Sequence, residues 1–218
     1  FEIQAELSHE FLRNRSRGFA YEPIIASGLN SCVLHYVSNN AECKDGDIIL
    51  LDIGAEYANY ASDLTRCLPI NGRFTARQKQ VYNAVLRVQK AAIQLIRPGI
   101  MMDDYHVEVG KLMERELLDL NLITKTDIKN QDPNWPAYKK YFMHGTSHFM
   151  GLDVHDVGLW NKPIEKGMVF TCEPGIYIRE ESLGIRIEND VLVTDDAPFD
   201  FMRNIPIETE EIEDLMNS

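Results

Sequence analysis

The chain has 218 residues, 44% of them hydrophobic, enough for one domain that buries about 70% of its unfolded surface without help from disulfides. Lys and Arg number 22 against 34 Asp and Glu, a net charge of −12, and no basic run occurs. This balance argues against nucleic acid or an anionic membrane surface as a partner, and no apolar run approaches the ~20 residues a spanning helix needs.

In chain order, Ile3, Leu7 and Phe11 recur at helical spacing and predict a first helix that stops before Gly18. Pro23 to Ile25 reads as a strand running into a turn at Ser27 to Asn30. Val33 to Tyr36 reads as another, followed by the turn Lys44-Asp45-Gly46-Asp47. Ile48 to Tyr57 and Tyr60 to Ile70 predict two further strands, closed by Asn71-Gly72. A long helix begins after Thr75, with Gln78 completing a capping box, and ends at Pro98-Gly99. A second helix covers about Asp103 to Leu120, and Asn130 to Pro136 reads as loop. Strands return from Lys166 to Thr194, and Glu208 to Met216 forms an acidic helix or a frayed tail. Strands, then helices, then strands predict a single α+β domain over residues 1–218, without internal repeats.

Four acids stand in apolar strand contexts. Asp52 follows Leu50-Leu51, and Asp63 lies in Ala61-Ser62-Asp63-Leu64. A tight reversal at Tyr57-Ala58 would set these two face to face across a ladder, where like charges destabilise unless a cation lies between them. Glu173 and Glu188 repeat the arrangement around a loop centred on Glu180-Glu181. A single such acid is most often a strand-edge or turn carboxylate. Four together require partners, and Arg66 and Arg186 are the only basic residues nearby.

Of six histidines, His144, His148 and His155 cluster in a Gly-containing segment, whereas His9 and His106 sit beside acids in helices and are expected at the surface. His35 is ambiguous from its local sequence. One imidazole with four carboxylates is an oxygen-rich donor set that suits Mn, Fe, Co or Zn. It is too acidic for one open zinc site and of the right charge for two divalent ions. The cysteines, Cys32, Cys43, Cys67 and Cys172, form no C-x-x-C and are expected as free thiols of a reducing compartment. Cys172 as a nucleophile is disfavoured because it would face away from Glu173 on a strand. No phosphate loop, dinucleotide fingerprint, nucleophile elbow or H-E-x-x-H is present.

The segments LDIGAEYANYASDLTR, HGTSHFMGLDVHDVG, CEPGIYI and GIRIEND, in this order, resemble the metal-dependent peptidases of the pita-bread fold, most closely the aminopeptidase P branch. The resemblance covers nearly the whole chain. It implies a curved, mostly antiparallel sheet with helices on its outer face and an N-terminal domain absent from this chain, which begins at Phe1. It implies two divalent ions, usually Mn2+, with Co2+, Fe2+ or Zn2+ as substitutes. Asp52, Asp63, His148, Glu173 and Glu188 would hold them. Asp63 and Glu188 would bridge, with Asp52 on one ion and His148 and Glu173 on the other. Catalytic or substrate-contacting roles fall to Glu173, His35, His144, His155 and Arg186, and Tyr177 would orient a ligand carboxylate. The implied reaction is attack of a metal-bridging hydroxide on the Xaa-Pro bond of peptides with proline second. The cytoplasm is the favoured setting, with a eukaryotic organelle as the alternative, and the full-length protein is a candidate homo-oligomer.

Prolidase is the neighbouring alternative, and Ser147 in HGTSH favours aminopeptidase P over it. Methionine aminopeptidase fits less well, because Leu64-Thr65-Arg66 follows Asp63 and the histidine segment matches poorly. A metal-free peptide- or protein-binding module and creatinase-like C–N hydrolysis are disfavoured, since all five ligand positions are filled.

Overall fold

A computed structural model describes residues 1–218. Helix α1 (Glu2–Arg13) precedes strands β1 (Gly18–Phe19) and β2 (Ile24–Ser27), and a 3-10 turn at Gly28–Cys32 follows. The expected strand at Val33 to Tyr36 is absent, and this stretch runs irregularly with Val33 and His35 exposed. Its β-favouring residues find no partner, because both edges of the nearby β3 (Ile48–Ile53) are taken, one by β2 and one by β6 (Leu64–Pro69).

The first hairpin continues through β4 (Ala55–Tyr57) and β5 (Tyr60–Ala61). It turns at Ala58 and Asn59, whose φ angles of 53° and 70° are those of a tight hairpin turn. The reversal falls one residue later than expected, so the register shifts by two: Asp52 opposes Thr65, not Asp63. A shift of two preserves the alternation of faces, and Asp52 and Asp63 still reach the same side. The ladder breaks at Gly54, where a Cβ would lie 1.7 Å from the Ser62 carbonyl oxygen.

The second hairpin comprises β7 (Val169–Cys172), β8 (Gly175–Ile178), β9 (Leu183–Arg186) and β10 (Asn189–Leu192). Cys172 pairs with Asn189 and Gly175 with Arg186, one register on both sides of a gap. Glu173 and Glu188 face each other in that gap, as the loop at Glu180-Glu181 predicts. A short β11 (Phe199–Asp200), which the sequence does not announce, extends β10 on its other edge. The hairpins meet where the Glu188 N–H donates to the Thr65 carbonyl at 3.2 Å and Arg66 donates to the Glu188 carbonyl at 2.8 Å.

Helix α2 (Ala76–Leu95) begins with the expected Thr75–Gln78 capping box, and α3 (Met102–Asp119) follows the Pro98-Gly99 stop. Val81, Val85, Val88 and Ala92 of α2 and Val109, Met113 and Leu117 of α3 are buried in one core with Phe170, Cys172, Ile176 and Ile185. A further short helix, α4 (Lys125–Lys129), is capped by Thr124 and Asp127. The acidic terminus is a helix, α5 (Thr209–Met216), not a frayed tail. Ile212 is buried, and Glu213 accepts from Lys79 at 2.9 Å. Every strand pair is antiparallel, and no helix is long and apolar enough to cross a membrane.

Candidate metal centre

The two hairpins and the His144–His155 segment enclose a cavity of about 500 Å³. All nine side chains expected to carry the chemistry line it: Asp52, Asp63, His148, Glu173, Glu188, His35, His144, His155 and Arg186. Leu34, Val37 and Val154 add apolar side chains to its lining.

Asp63, His148 and Glu188 bring ligand atoms within 4.8 Å of one another. His148 Nε2 lies 3.5 Å from Asp63 Oδ2 and 3.8 Å from Glu173 Oε1. Its Nδ1 is 3.0 Å from the Phe149 carbonyl oxygen, which holds the proton there and leaves the Nε2 lone pair facing the acids. The Glu173 N–H donates to the Thr146 carbonyl at 2.8 Å and the Thr171 N–H to that of His148 at 3.1 Å. These bonds tie the histidine segment to β7. His35 and His155 are exposed at the cavity rim, and the His155 ring packs edge-on against His148 at 4.3 Å.

Arg186 is 3% exposed and fully engaged, pairing with Asp52 and donating to the Tyr177 hydroxyl at 2.9 Å and to Thr65 Oγ1 at 3.2 Å. Tyr177 reaches no ligand carboxylate, contrary to expectation. Having accepted from Arg186, its hydroxyl donates to His144 Nε2 at 2.8 Å. That bond leaves the His144 proton on Nδ1, 2.7 Å from the Gly145 carbonyl oxygen. Burial, reinforced by the Arg186 charge, pushes His144 down to about 3, so this imidazole is neutral.

The acids behave in the opposite sense. Burial and the neighbouring carboxylates raise Glu188 well above the carboxylate range, and burial lifts Asp63. Burial pushes Glu173 up to about 7 against the lowering charges of Arg186 and His148. Burial opposes charge on His148, but Asp63 and Glu173 overcome it and hold this imidazole above its ordinary value. Arg186 is the only permanent cation lining the cavity, and it is spent on Asp52. The site is therefore short of positive charge, and its carboxylate-plus-imidazole donor set fits hard or borderline divalent ions.

Several residues of the site carry no local sequence signal. Tyr21 Oη lies 2.5 Å from Asp52 Oδ1 and 2.5 Å from Asp63 Oδ1. The buried Thr65 hydroxyl donates to Glu188 Oε2 at 2.6 Å. Asp190, pushed up to about 8 by burial, accepts the Asp63 N–H at 3.0 Å. His106 is not a surface residue as expected: it is half-buried, and its Nδ1 accepts the Thr146 N–H at 3.2 Å. Helix α3 thereby props the histidine segment from behind.

The cysteines are free, as expected. Cys172 is fully buried on the helix side, near Tyr105 Oη at 3.5 Å, and burial pushes its thiol up to about 12. A nucleophilic role is excluded by its position.

The profile of metallopeptidase family M24 matches residues 1–195. The chain belongs to this family. The Xaa-Pro aminopeptidase of Haemophilus influenzae is 40% identical over all of this chain and 53% of its own length. Human Xaa-Pro aminopeptidase 3 is 40% identical over 92% of this chain and 42% of its own. Zinc-substituted Escherichia coli aminopeptidase P in complex with product superposes with a TM-score of 0.92 at 38% identity, covering 99% of this chain and 51% of that one. The M24 chain described here thus has the pita-bread fold, and it spans about half the length of the curated relatives it matches.

Proposed function

We propose that residues 1–218 form a single catalytic domain of an Xaa-Pro aminopeptidase, which releases the first residue of peptides whose second residue is proline. The observation that carries this reading is the convergence of four acids and His148 from separate strands and loops on one cavity with apolar side chains in its lining. The M24 membership and the Xaa-Pro aminopeptidase relatives supply the reaction class.

In this reading Asp52, Asp63, His148, Glu173 and Glu188 hold two divalent ions, with Mn2+ the favoured metal. When bound, such ions supply Lewis acidity and lower the pKa of water at the site to near 7. Glu173 takes a proton on its carboxylate from the attacking water and returns it to the leaving proline nitrogen. That nitrogen belongs to a tertiary amide without an N–H, so the site must hold the peptide by other groups. His35 and His155 stand at the rim to do so. Neutral His144 keeps its one proton on Nδ1 as a donor. Arg186 fixes Asp52 and, through Tyr177, the His144 tautomer.

The setting favoured for this activity is the cytoplasm, with homo-oligomers of the full-length protein, on the strength of the free cysteines and the family resemblance. The test is hydrolysis of a matched Xaa-Pro-Yaa tripeptide and Xaa-Pro dipeptide in Mn2+, with and without chelator. Chelator-sensitive cleavage of the tripeptide is expected. Cleavage of the dipeptide alone makes the protein a prolidase, and cleavage that survives chelation removes the metal from the account.

A further inference from the structure

Tyr21 joins the two aspartates of the centre from outside either hairpin strand. Its hydroxyl oxygen is 2.5 Å from Asp52 Oδ1 and 2.5 Å from Asp63 Oδ1, contacts that bring together residues far apart in sequence. The phenol has one proton, so its hydroxyl donates to one aspartate and accepts from the other when that carboxyl is protonated. Two carboxylates this close repel each other in a low-dielectric site unless something positive or hydrogen-bonding lies between them.

The tyrosine is held rigidly. The Ala20 N–H donates to the Gly54 carbonyl at 2.8 Å, and Ile24 pairs with Asp52 in the β2–β3 ladder. Both ends of the short segment bearing Tyr21 are thus fixed to the strand that carries Asp52. The ring lies over Gly54, where a Cβ would come within 2.8 Å of Tyr21 Cε1. The backbone at position 54 therefore leaves the space the ring occupies. The hydroxyl is thereby directed into the cavity, where it takes the carboxylate-orienting role expected of Tyr177.

We propose that Tyr21 is a positioning residue of the metal centre: its hydroxyl sets the spacing of Asp52 and Asp63 before any ion binds. This rests on the reading of those aspartates as metal ligands. Without the hydroxyl, Asp63 loses its tie to Asp52, which Arg186 still holds, and an incoming ion must draw the two acids together. Partners of ligand groups in metal sites commonly contribute about 10–100-fold to affinity.

The experiment is calorimetric titration of chelator-treated protein with Mn2+, for the wild type, Tyr21→Phe and Tyr82→Phe. Tyr82 is a fully buried tyrosine whose hydroxyl donates to the Ile207 carbonyl at 2.9 Å, outside the cavity. It controls for the loss of a buried hydroxyl. Tyr21→Phe is expected to weaken Mn2+ binding about 10–100-fold while Tyr82→Phe leaves it unchanged, with thermal melting of the metal-free proteins reporting that each is folded. Wild-type affinity in folded Tyr21→Phe overturns the proposal, as does equal weakening in Tyr82→Phe. Should Tyr21→Phe melt too early for titration at room temperature, the titrations are run in the cold on all three proteins, and wild-type Mn2+ affinity of folded Tyr21→Phe there overturns the proposal as well. Absence of binding by the wild type overturns the metal-centre reading and this inference with it.

Discussion

Glu173 and Glu188 stand opposite each other in the gap of a hairpin whose register is the same on both sides, from Cys172–Asn189 to Gly175–Arg186. The gap frees both side chains from ladder neighbours and turns them toward Asp63 and His148. Burial raises both carboxyls, Glu173 to about 7 and Glu188 in the same sense, and so favours their protonated forms where no cation faces them.

Replacing Glu173 by Gln keeps the side-chain volume and removes the proton acceptor. The variant is expected to fold with an unchanged melting temperature within a few degrees and to lose about 10²–10⁴-fold in kcat on an Xaa-Pro-Yaa peptide. Steady-state kinetics at saturating Mn2+ measure this. Near-normal turnover contradicts the proton-transfer role.

Arg186→Met leaves Asp52 buried without its cation. Breaking a buried pair on one side typically costs about 3–5 kcal/mol. Urea unfolding of the metal-free variant should show a loss of that order. A change below about 1 kcal/mol would mean that Asp52 finds another partner.

Thr65→Val is nearly isosteric and removes the hydroxyl that donates to Glu188 Oε2 at 2.6 Å and accepts from Arg186 Nε at 3.2 Å. Mn2+ affinity, read by equilibrium dialysis, should fall about 10–100-fold. Unchanged affinity would show that the Glu188 backbone alone fixes its carboxylate.

The pH dependence of the metal-free protein has a definite sign. Glu173 is raised by burial from 4.5 to about 7, and Glu188 and Asp63 are raised in the same sense. The folded state therefore binds more protons than the unfolded state. Stability from these groups is full below the unfolded value of 4.5 and is lost as pH rises through about 7. Neutral His144, held down to about 3, opposes this trend below its ordinary value of 6.5, so the melting temperature of chelated protein should fall between about pH 6.5 and pH 8, and Mn2+ should restore it with release of protons. A chelated protein that grows more stable over this interval contradicts the assignment.

What the sequence conveyed followed from local pattern. The Thr75–Gln78 box, the Pro98-Gly99 stop and the loop centred on Glu180-Glu181 each lie within a few residues of the feature they set, and all three stand in the structure. The hairpin turns at Ala58-Asn59, one residue beyond the Tyr57-Ala58 reversal that the pattern predicts, because both positions take positive φ without a glycine to signal it. Val33 to Tyr36 has strand-like residues, but β3 is already paired on both edges, by β2 and β6, which only the assembled sheet reveals.

The site divides in the same way. The nine cavity residues were legible because acids on apolar strands and clustered histidines are unusual, and the motif order did the rest. Tyr21, Thr65 and His106 act through contacts with residues remote in sequence, and a tyrosine, a threonine and a helical histidine are ordinary where they occur. Tyr177 was assigned to the wrong neighbour for the same reason: its partners, His144 and Arg186, are fixed by the pairing of β8 with β9 and by the approach of the histidine segment.

The most direct test of the central claim is the metal stoichiometry of the purified chain after chelation and reloading, measured by elemental analysis alongside Asp63→Ala. Two Mn2+ ions per wild-type chain are expected, and fewer than one in the variant, on the proposal that both ions need the Asp63 carboxylate. A wild-type chain that binds no divalent ion, or an Asp63→Ala chain that still binds two, contradicts it.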